Sequence, residues 1–283
     1  MLKIKIINKL PWSYLNKRLR KEIKQKYVSS EQLFRNPDSW YALTAYSNPY
    51  KTVYSELALL EQNAKKINQF IKNKNLVLYG IGTGDTEMAL IGGVLKENNQ
   101  IKIIGIDVQK KFIDNFIHSL KNLDLESYKY KLDFVGIAGL LQDIKRDDLG
   151  SISDKFVHAI LGSTIGNFPK EEIWNVLKKL SNRTDLLIVG FHTDTNLKEK
   201  FKQYSTNKLF EEFIRKNLLN VKKIIWKLNK KESQIEGWAN DILVFHSRKT
   251  SPKAMMKDAR AYGFKNLFSV DDDNSCIQVF KKI

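Results

Sequence analysis

Apolar positions in this chain fall into short runs separated by stretches with helical spacing. Residues 76–79 and 101–106 are such runs, as expected of strands buried on both faces. Between them stand Gly80, Gly82 and Gly84, then a helical stretch from Asp85 to about Glu97; the second run ends on Asp107. The pattern predicts strand, Gly-turn, helix and strand, with a carboxylate at the second strand's tip. Residues 109–122 carry Phe112, Ile113, Phe116, Ile117 and Leu120 at helical spacing. Further strands are expected over 128–135, 155–161 and 186–191, with a helix over 169–180 opened by Pro169. Residues 196–219 read as mostly helical, and 222–229 and 242–247 as strands joined through a polar segment. A helix over 252–262 ends at Gly263, and 277–281 closes the chain as a strand. Residues 1 to about 72 read as helical and irregular, with a turn at Asn48-Pro49. The Tyr- and Trp-rich part of that segment, around Trp40 and Tyr41, serves either as a lid over a pocket or as core.

Composition narrows the class. A chain of 283 residues with 42% hydrophobic content can bury a substantial core. No apolar run approaches the roughly 20 residues of a membrane span, and MLKIKIINKL lacks a signal-peptide core. The single cysteine, Cys276, excludes an internal disulfide and a Cys-rich zinc site. The expectation is a cytoplasmic monomer without membrane partners. No metal is indicated, since His118, His158, His192 and His246 lack ligand spacing. The net charge of +17 comes mostly from lysines scattered along the whole chain, densest over residues 17–26. That scatter favours solvated faces over a nucleic-acid footprint, although nucleic acid stays open as a partner.

In a doubly wound sheet, ligands bind outside the carboxyl ends of the strands, and an acid such as Asp107 holds ribose hydroxyls. A dinucleotide fingerprint requires a third glycine three residues after its second; here that place is Asp85. Gly-x-Gly-x-Gly with an acid 25 residues after the second glycine (82 to 107) resembles instead class I S-adenosylmethionine (SAM) methyltransferases. An ordinary βα turn without a nucleotide is the alternative. In that fold the loop after strand three faces the adenine, which makes Asp133 and Phe134 candidates for the exocyclic amine and the base.

The loop after the fourth strand reads Leu161-Gly-Ser-Thr-Ile-Gly-Asn-Phe-Pro169. With it, the chain resembles the histidine-specific SAM-dependent methyltransferase family, which includes the ergothioneine-pathway histidine Nα-methyltransferases. Gly162 to Asn167 match the family's Gly-Ser-Thr-Ile-Gly-Asn in series, and the Gly-turn, Asp107, Asp133-Phe134, Gly190 and Tyr204 follow in the family's order. The resemblance implies an α/β fold: a class I, Rossmann-like SAM methyltransferase sheet over 55–194 plus 251–283, with a smaller substrate-binding lobe from 1–54 plus 195–250. It implies SAM as cofactor, held by Gly80, Gly82, Gly84, Asp107, Asp133, Phe134 and Gly162. By matching position, Gly162 and Asn167 touch the substrate's amino-acid backbone, and Tyr204, 14 residues after Gly190, lines its pocket. Asn167 and Tyr204 are the candidate catalytic pair.

Several positions depart from the family. Asn48 stands where the family has a pocket Tyr before a Pro. His246-Ser247-Arg248-Lys249-Thr250 brings bases, Arg248 among them as a candidate substrate contact, where the family reads imidazole with a Glu and a Ser. His192 stands where an Asp is expected two residues after Gly190. A site built around a carboxylate does not exchange it for a cation without changing its ligand. The expected function is therefore SAM-dependent N-methylation of an amine in an amino acid, a derivative or a peptide, and not of free histidine. A nucleic-acid (RNA) methyltransferase and a catalytically impaired SAM-binding protein are the alternatives.

Overall fold

The computed structural model describes residues 2–10, 12–46, 51–97, 100–125, 131–151, 154–218 and 221–283. The chain enters through a strand, β1 (Leu2–Asn8), followed by helices α1 (Trp12–Lys24), α2 (Pro37–Tyr46), α3 (Lys51–Gln62) and α4 (Ala64–Ile71). A single 3₁₀ segment, Ser30–Phe34, links α1 to α2. Strand and helix then alternate: β2 (Asn75–Tyr79), α5 (Asp85–Glu97), β3 (Gln100–Asp107), α6 (Lys110–Lys121), β4 (Lys131–Ala138), the one-turn α7 (Arg146–Leu149), β5 (Phe156–Ile160), α8 (Lys170–Leu180) and β6 (Leu186–His192). Two further helices, α9 (Leu197–Ser205) and α10 (Lys208–Asn217), lead into β7 (Ile225–Asn229), β8 (Gln234–Ala239) and β9 (Ile242–Arg248). Helix α11 (Pro252–Ala261) and strands β10 (Phe264–Asp271) and β11 (Ser275–Lys282) complete the chain.

Eight strands form one sheet in the order β1-β4-β3-β2-β5-β6-β11-β10. Pairing from β1 through to β6 is parallel, and β11 runs antiparallel to both β6 and β10. The order reverses at β2, so the crevice beyond its carboxyl end is the place where such a sheet receives a ligand. The central strands owe their apolar runs to cover on both faces. On one face α3 to α6 contribute Leu59, Ile67, Ile91 and Phe116; on the other α8 and α11 contribute Trp174, Leu177 and Met255. A third core joins α10 and the antiparallel β7-β8-β9 sheet to the amino-terminal helices through Phe210, Phe213, Ile235, Phe245, Leu19, Leu33 and Leu43. Among the described residues, no helix is long and apolar enough to cross a membrane.

The amino-terminal reading needs correction. Residues 2–8 are not helical or irregular but an edge strand, in register with β4 from Leu2↔Leu132 to Asn8↔Ala138. The alternation Leu-Lys-Ile-Lys-Ile has the period of a strand, yet Ile4 and Ile6 remain 39% and 38% exposed, so burial alone does not betray it. Strand β8 also lies within the segment read as a polar connection. Its Glu236 is buried and accepts hydrogen bonds from Asn229, Gln234 and Trp238, which makes a polar sequence compatible with an interior position.

Candidate active site

The turn after β2 is built on left-handed backbone. Gly80, Gly82 and Gly84 have φ of +67°, +56° and +84°, a region that side chains disfavour. Their surroundings separate their roles. A Cβ at Gly80 would stand 2.8 Å from Thr164, and at Gly82 it would project toward the Trp40 indole. At Gly84 it would strike Phe116 at 2.6 Å. Gly80 and Gly82 both line the cleft above the turn, whereas Gly84 seats the turn on α6 against Phe116. Asp107 closes the arrangement: Oδ2 accepts from the Gly82 amide at 3.1 Å and Oδ1 from the Gln109 amide at 3.1 Å. Burial pushes its carboxyl up to about 6, against the stabilising pull of those amides.

Over these tips lies a cleft open to solvent. Gly80, Gly82 and Asp107 form its floor, Val108, Phe112 and Leu141 one apolar side, and Gly162, Thr164 and Asn167 the other. Ser30, Phe34 and Trp40 roof it. A carboxylate with lone pairs facing a glycine cradle and apolar walls has the chemistry to hold a nucleoside's ribose and base, and these residues fit a SAM-sized ligand.

A second, narrower pocket shares Ser30, Phe34, Trp40, Gly162 and Asn167 with the first. Beyond that common wall it is lined by His192, Tyr204, Phe210, Phe213, Phe245 and Ser247. Phe34 joins the two, its ring centroid 5.1 Å from that of Trp40, 6.3 Å from Phe112 and 5.9 Å from Phe213. The Ser30 hydroxyl donates to the Asn167 carbonyl at 2.5 Å, tying the 3₁₀ segment to the β5 loop. From beneath, Glu56 accepts from the Gly162 amide at 2.7 Å, its carboxyl pushed up by burial to about 7. Glu56 fills the space that a side chain on Gly190 would need.

Behind the second cavity lies Lys249, only 1% exposed. Its ammonium nitrogen lies 3.0 Å from His192 Nδ1, 3.0 Å from Ser247 Oγ and 3.3 Å from Tyr204 Oη. Burial pulls it down to about 7. His192 is held well below the ordinary histidine range by burial and by the neighbouring Lys249 and Lys200.

The structure thus brings Gly80, Gly82, Asp107, Gly162 and Asn167 around one cleft, and Gly162, Asn167 and Tyr204 around its neighbour. It does not bring Asp133 and Phe134 there. β4 runs on to Ala138, which pairs with Asp107, while Asp133 pairs with Lys102 far down the strand. Phe134 is core, against Phe116 and the backbone of Gly105. The loop at the β4 tip begins at Gly139, and Gly139 and Leu141 line the cleft instead. Arg248 also turns away, its guanidinium 3.8 Å from Asp258 on α11. Asn48 lies outside the described residues. The sequence reading had Trp40 only as lid or core, and passed over Ser30, Phe34 and Phe112. Lys249 was present only as one of several bases in its segment.

The family described as histidine-specific, SAM-dependent methyltransferase matches residues 39–240, well over half of the chain. No curated protein matches. Among solved structures, the DhpI complex with SAH is similar over 89% of this chain and 95% of that one, with 12% identity and a TM-score of 0.51. The PH0226 protein of Pyrococcus horikoshii OT3 has 15% identity over 80% of this chain and 91% of that one, with a TM-score of 0.47. The 1,6-didemethyltoxoflavin N1-methyltransferase of Burkholderia thailandensis has 8% identity over 86% of each chain, with a TM-score of 0.47. At such identities the likeness extends to the fold alone. The family match, with the class I sheet, decides the assignment: the chain belongs to the histidine-specific SAM-dependent methyltransferase family and is an enzyme that uses SAM.

Proposed function

We propose that the protein N-methylates an amine of a small acceptor, an amino acid, a derivative or a short peptide, and that free histidine is not its preferred acceptor. The observation that carries this reading is the pair of cavities joined at Gly162 and Asn167, the farther one backed by a lysine and a histidine. When bound, SAM supplies a methyl group already activated on a sulfonium. Asp107 holds the ribose hydroxyls, and Gly80 and Gly82 let the backbone approach the ligand. Asn167 and Tyr204 fix the acceptor amine, with its lone pair aimed across the common wall. Alignment of two bound reactants supplies on the order of 7–11 kcal/mol in favourable cases. The aromatic walls of Phe210, Phe213 and Phe245 favour the neutral, nucleophilic amine over its ammonium form. The cofactor unit comprises 55–194 and 251–283 with β1 added to its edge; the remaining segments make the acceptor lobe.

Incubating the protein and labelled SAM with a panel of amino acids, amines and short peptides tests this by mass spectrometry. Methylated amines are expected, with free histidine among the slow substrates; rapid trimethylhistidine formation would refute the acceptor reading. Asn167→Ala is expected to lower kcat/KM on the order of 10²-fold by releasing the acceptor from alignment.

Binding also depends on pH. An ionised Asp107 is the form that accepts from ribose, so affinity for S-adenosylhomocysteine should fall by about tenfold per unit below pH 6, the value to which burial raises this carboxyl. The contribution to unliganded stability has the opposite sign. With the folded pKa raised from 3.8 to about 6, that contribution is complete below 3.8 and is lost as pH rises to about 6. Ligand-induced stabilisation should therefore grow from pH 5 to 7, as calorimetry across that range will show.

A further inference from the structure

The cluster behind the second cavity has a role that Asn167 and Tyr204 do not exhaust. An ammonium carries three protons, and Lys249 meets three neutral acceptors, His192 Nδ1, Ser247 Oγ and Tyr204 Oη. None of its protons is left for a ligand. Among the described residues no carboxylate contributes to its environment. Nearby Lys200 points elsewhere, to the carbonyls of Thr193, Asp273 and Asn274; Asp194, Asp272 and Asp273 act on Lys200.

While Lys249 is an ammonium it can only donate, so Nδ1 of His192 accepts from it and the ring's single proton sits on Nε2. That Nε2 is buried in a side chain 4% exposed and has no partner among the described residues, and His192 is among the residues that line the second cavity. A buried donor without a partner is costly, which marks it as waiting for an acceptor atom. The hydroxyls of Tyr204 and Ser247 contact each other, leaving one more proton free to turn into the cavity. The cation thus polarises neutral donors that face the ligand. His192 and Ser247 line the second cavity and not the first, whereas Gly162 and Asn167 line both. His192 and Ser247 therefore sit away from the common wall, where transfer takes place, and meet a part of the acceptor other than the reacting amine that Asn167 and Tyr204 hold.

We propose that His192, set by Lys249 and assisted by Ser247, recognises an oxyanion on the distal group of the methyl acceptor. Acidic amino acids, or amines with an anionic side group, are the class this selects. The inference rests on the proposed amine acceptor only for its place in the cavity, and binding tests it without turnover.

The full-length protein saturated with S-adenosylhomocysteine is titrated calorimetrically with aspartate against asparagine and glutamate against glutamine, pairs that keep the α-amino and α-carboxyl groups constant. The anionic member of at least one pair is expected to bind at least about tenfold more tightly. Lys249→Met and His192→Phe should bring the pair together, with the cofactor-induced thermal shift kept as proof of folding. Nitrogen NMR of the ¹⁵N-histidine-labelled parent should show His192 neutral and protonated on Nε2. An Nδ1-protonated His192, or failure of every anionic member to outbind its amide, overturns the proposal. Selective anion binding without methylation of any amine would leave the proposal standing and remove the N-methylation reading. Methylation of amines with no preference for the anion would do the reverse.

Discussion

Replacing Asp107 with alanine is expected to abolish the thermal stabilisation produced by S-adenosylhomocysteine. The carboxylate receives two backbone amides and still has lone pairs for two ribose hydroxyls. Hydrogen bonds to a charged group contribute about 1.5–3 kcal/mol each, so losing two lowers cofactor affinity on the order of 10²–10⁴-fold. The unliganded protein should change far less. The variant loses acceptors for the amides of Gly82 and Gln109, but it also sheds a carboxyl that burial raises to about 6. Asp107→Asn should fall between, since it keeps one carbonyl acceptor and surrenders the charge. A shift in Asp107→Ala equal to that of the parent would place the cofactor elsewhere.

The second large effect concerns stability. Lys249→Met is expected to stabilise the protein near pH 6 and to lose that advantage as pH rises. The sign follows from the lysine's pKa, which burial lowers from its ordinary 10.5 to about 7. A lowered lysine pKa means that the unfolded chain holds the proton more tightly. The parent therefore gains stability between pH 7 and 10.5 and is penalised fully below 7. At 1.36 kcal/mol per pKa unit the full penalty is on the order of 4–5 kcal/mol, reduced in the comparison by the hydrogen bonds that methionine cannot replace. Glu56 and Glu87, raised by burial to about 7 and about 8, contribute stability that is lost as pH rises above 4.5. They act equally on parent and variant, so the difference isolates Lys249. Denaturant unfolding of both proteins at pH 6 and 9 measures it; a difference that grows with pH would contradict the assignment.

The sheet was legible where burial is symmetric. The runs 76–79, 101–106 and 186–191 carry a single charged residue between them, Lys102, because both faces of those strands are covered. Asp107 was legible because a carboxylate at the end of such a run has no packing reason to be there. β4 was cut short for a tertiary reason. Gly136 looks like a strand end, but it pairs with Gly105 within the ladder, where Ile113 leaves no room for a Cβ. Stopping at residue 135 displaced the expected adenine contacts to Asp133 and Phe134, when the loop begins at Gly139. Arg248 and Lys249 are separated by strand period. Residues alternate faces along β9, so Ser247 and Lys249 share a side, and Arg248 faces α11. The roofing residues Ser30, Phe34 and Trp40 come from a segment with neither glycine motif nor clear periodicity, and only the tertiary fold delivers them.

A crystal structure of the protein with S-adenosylhomocysteine tests the joined-cavity arrangement most directly. The expected density places both ribose hydroxyls on Asp107 and the sulfur at the wall formed by Gly162 and Asn167, open toward Tyr204. A nucleoside seated away from Asp107, or a sulfur turned from the second cavity, would contradict it.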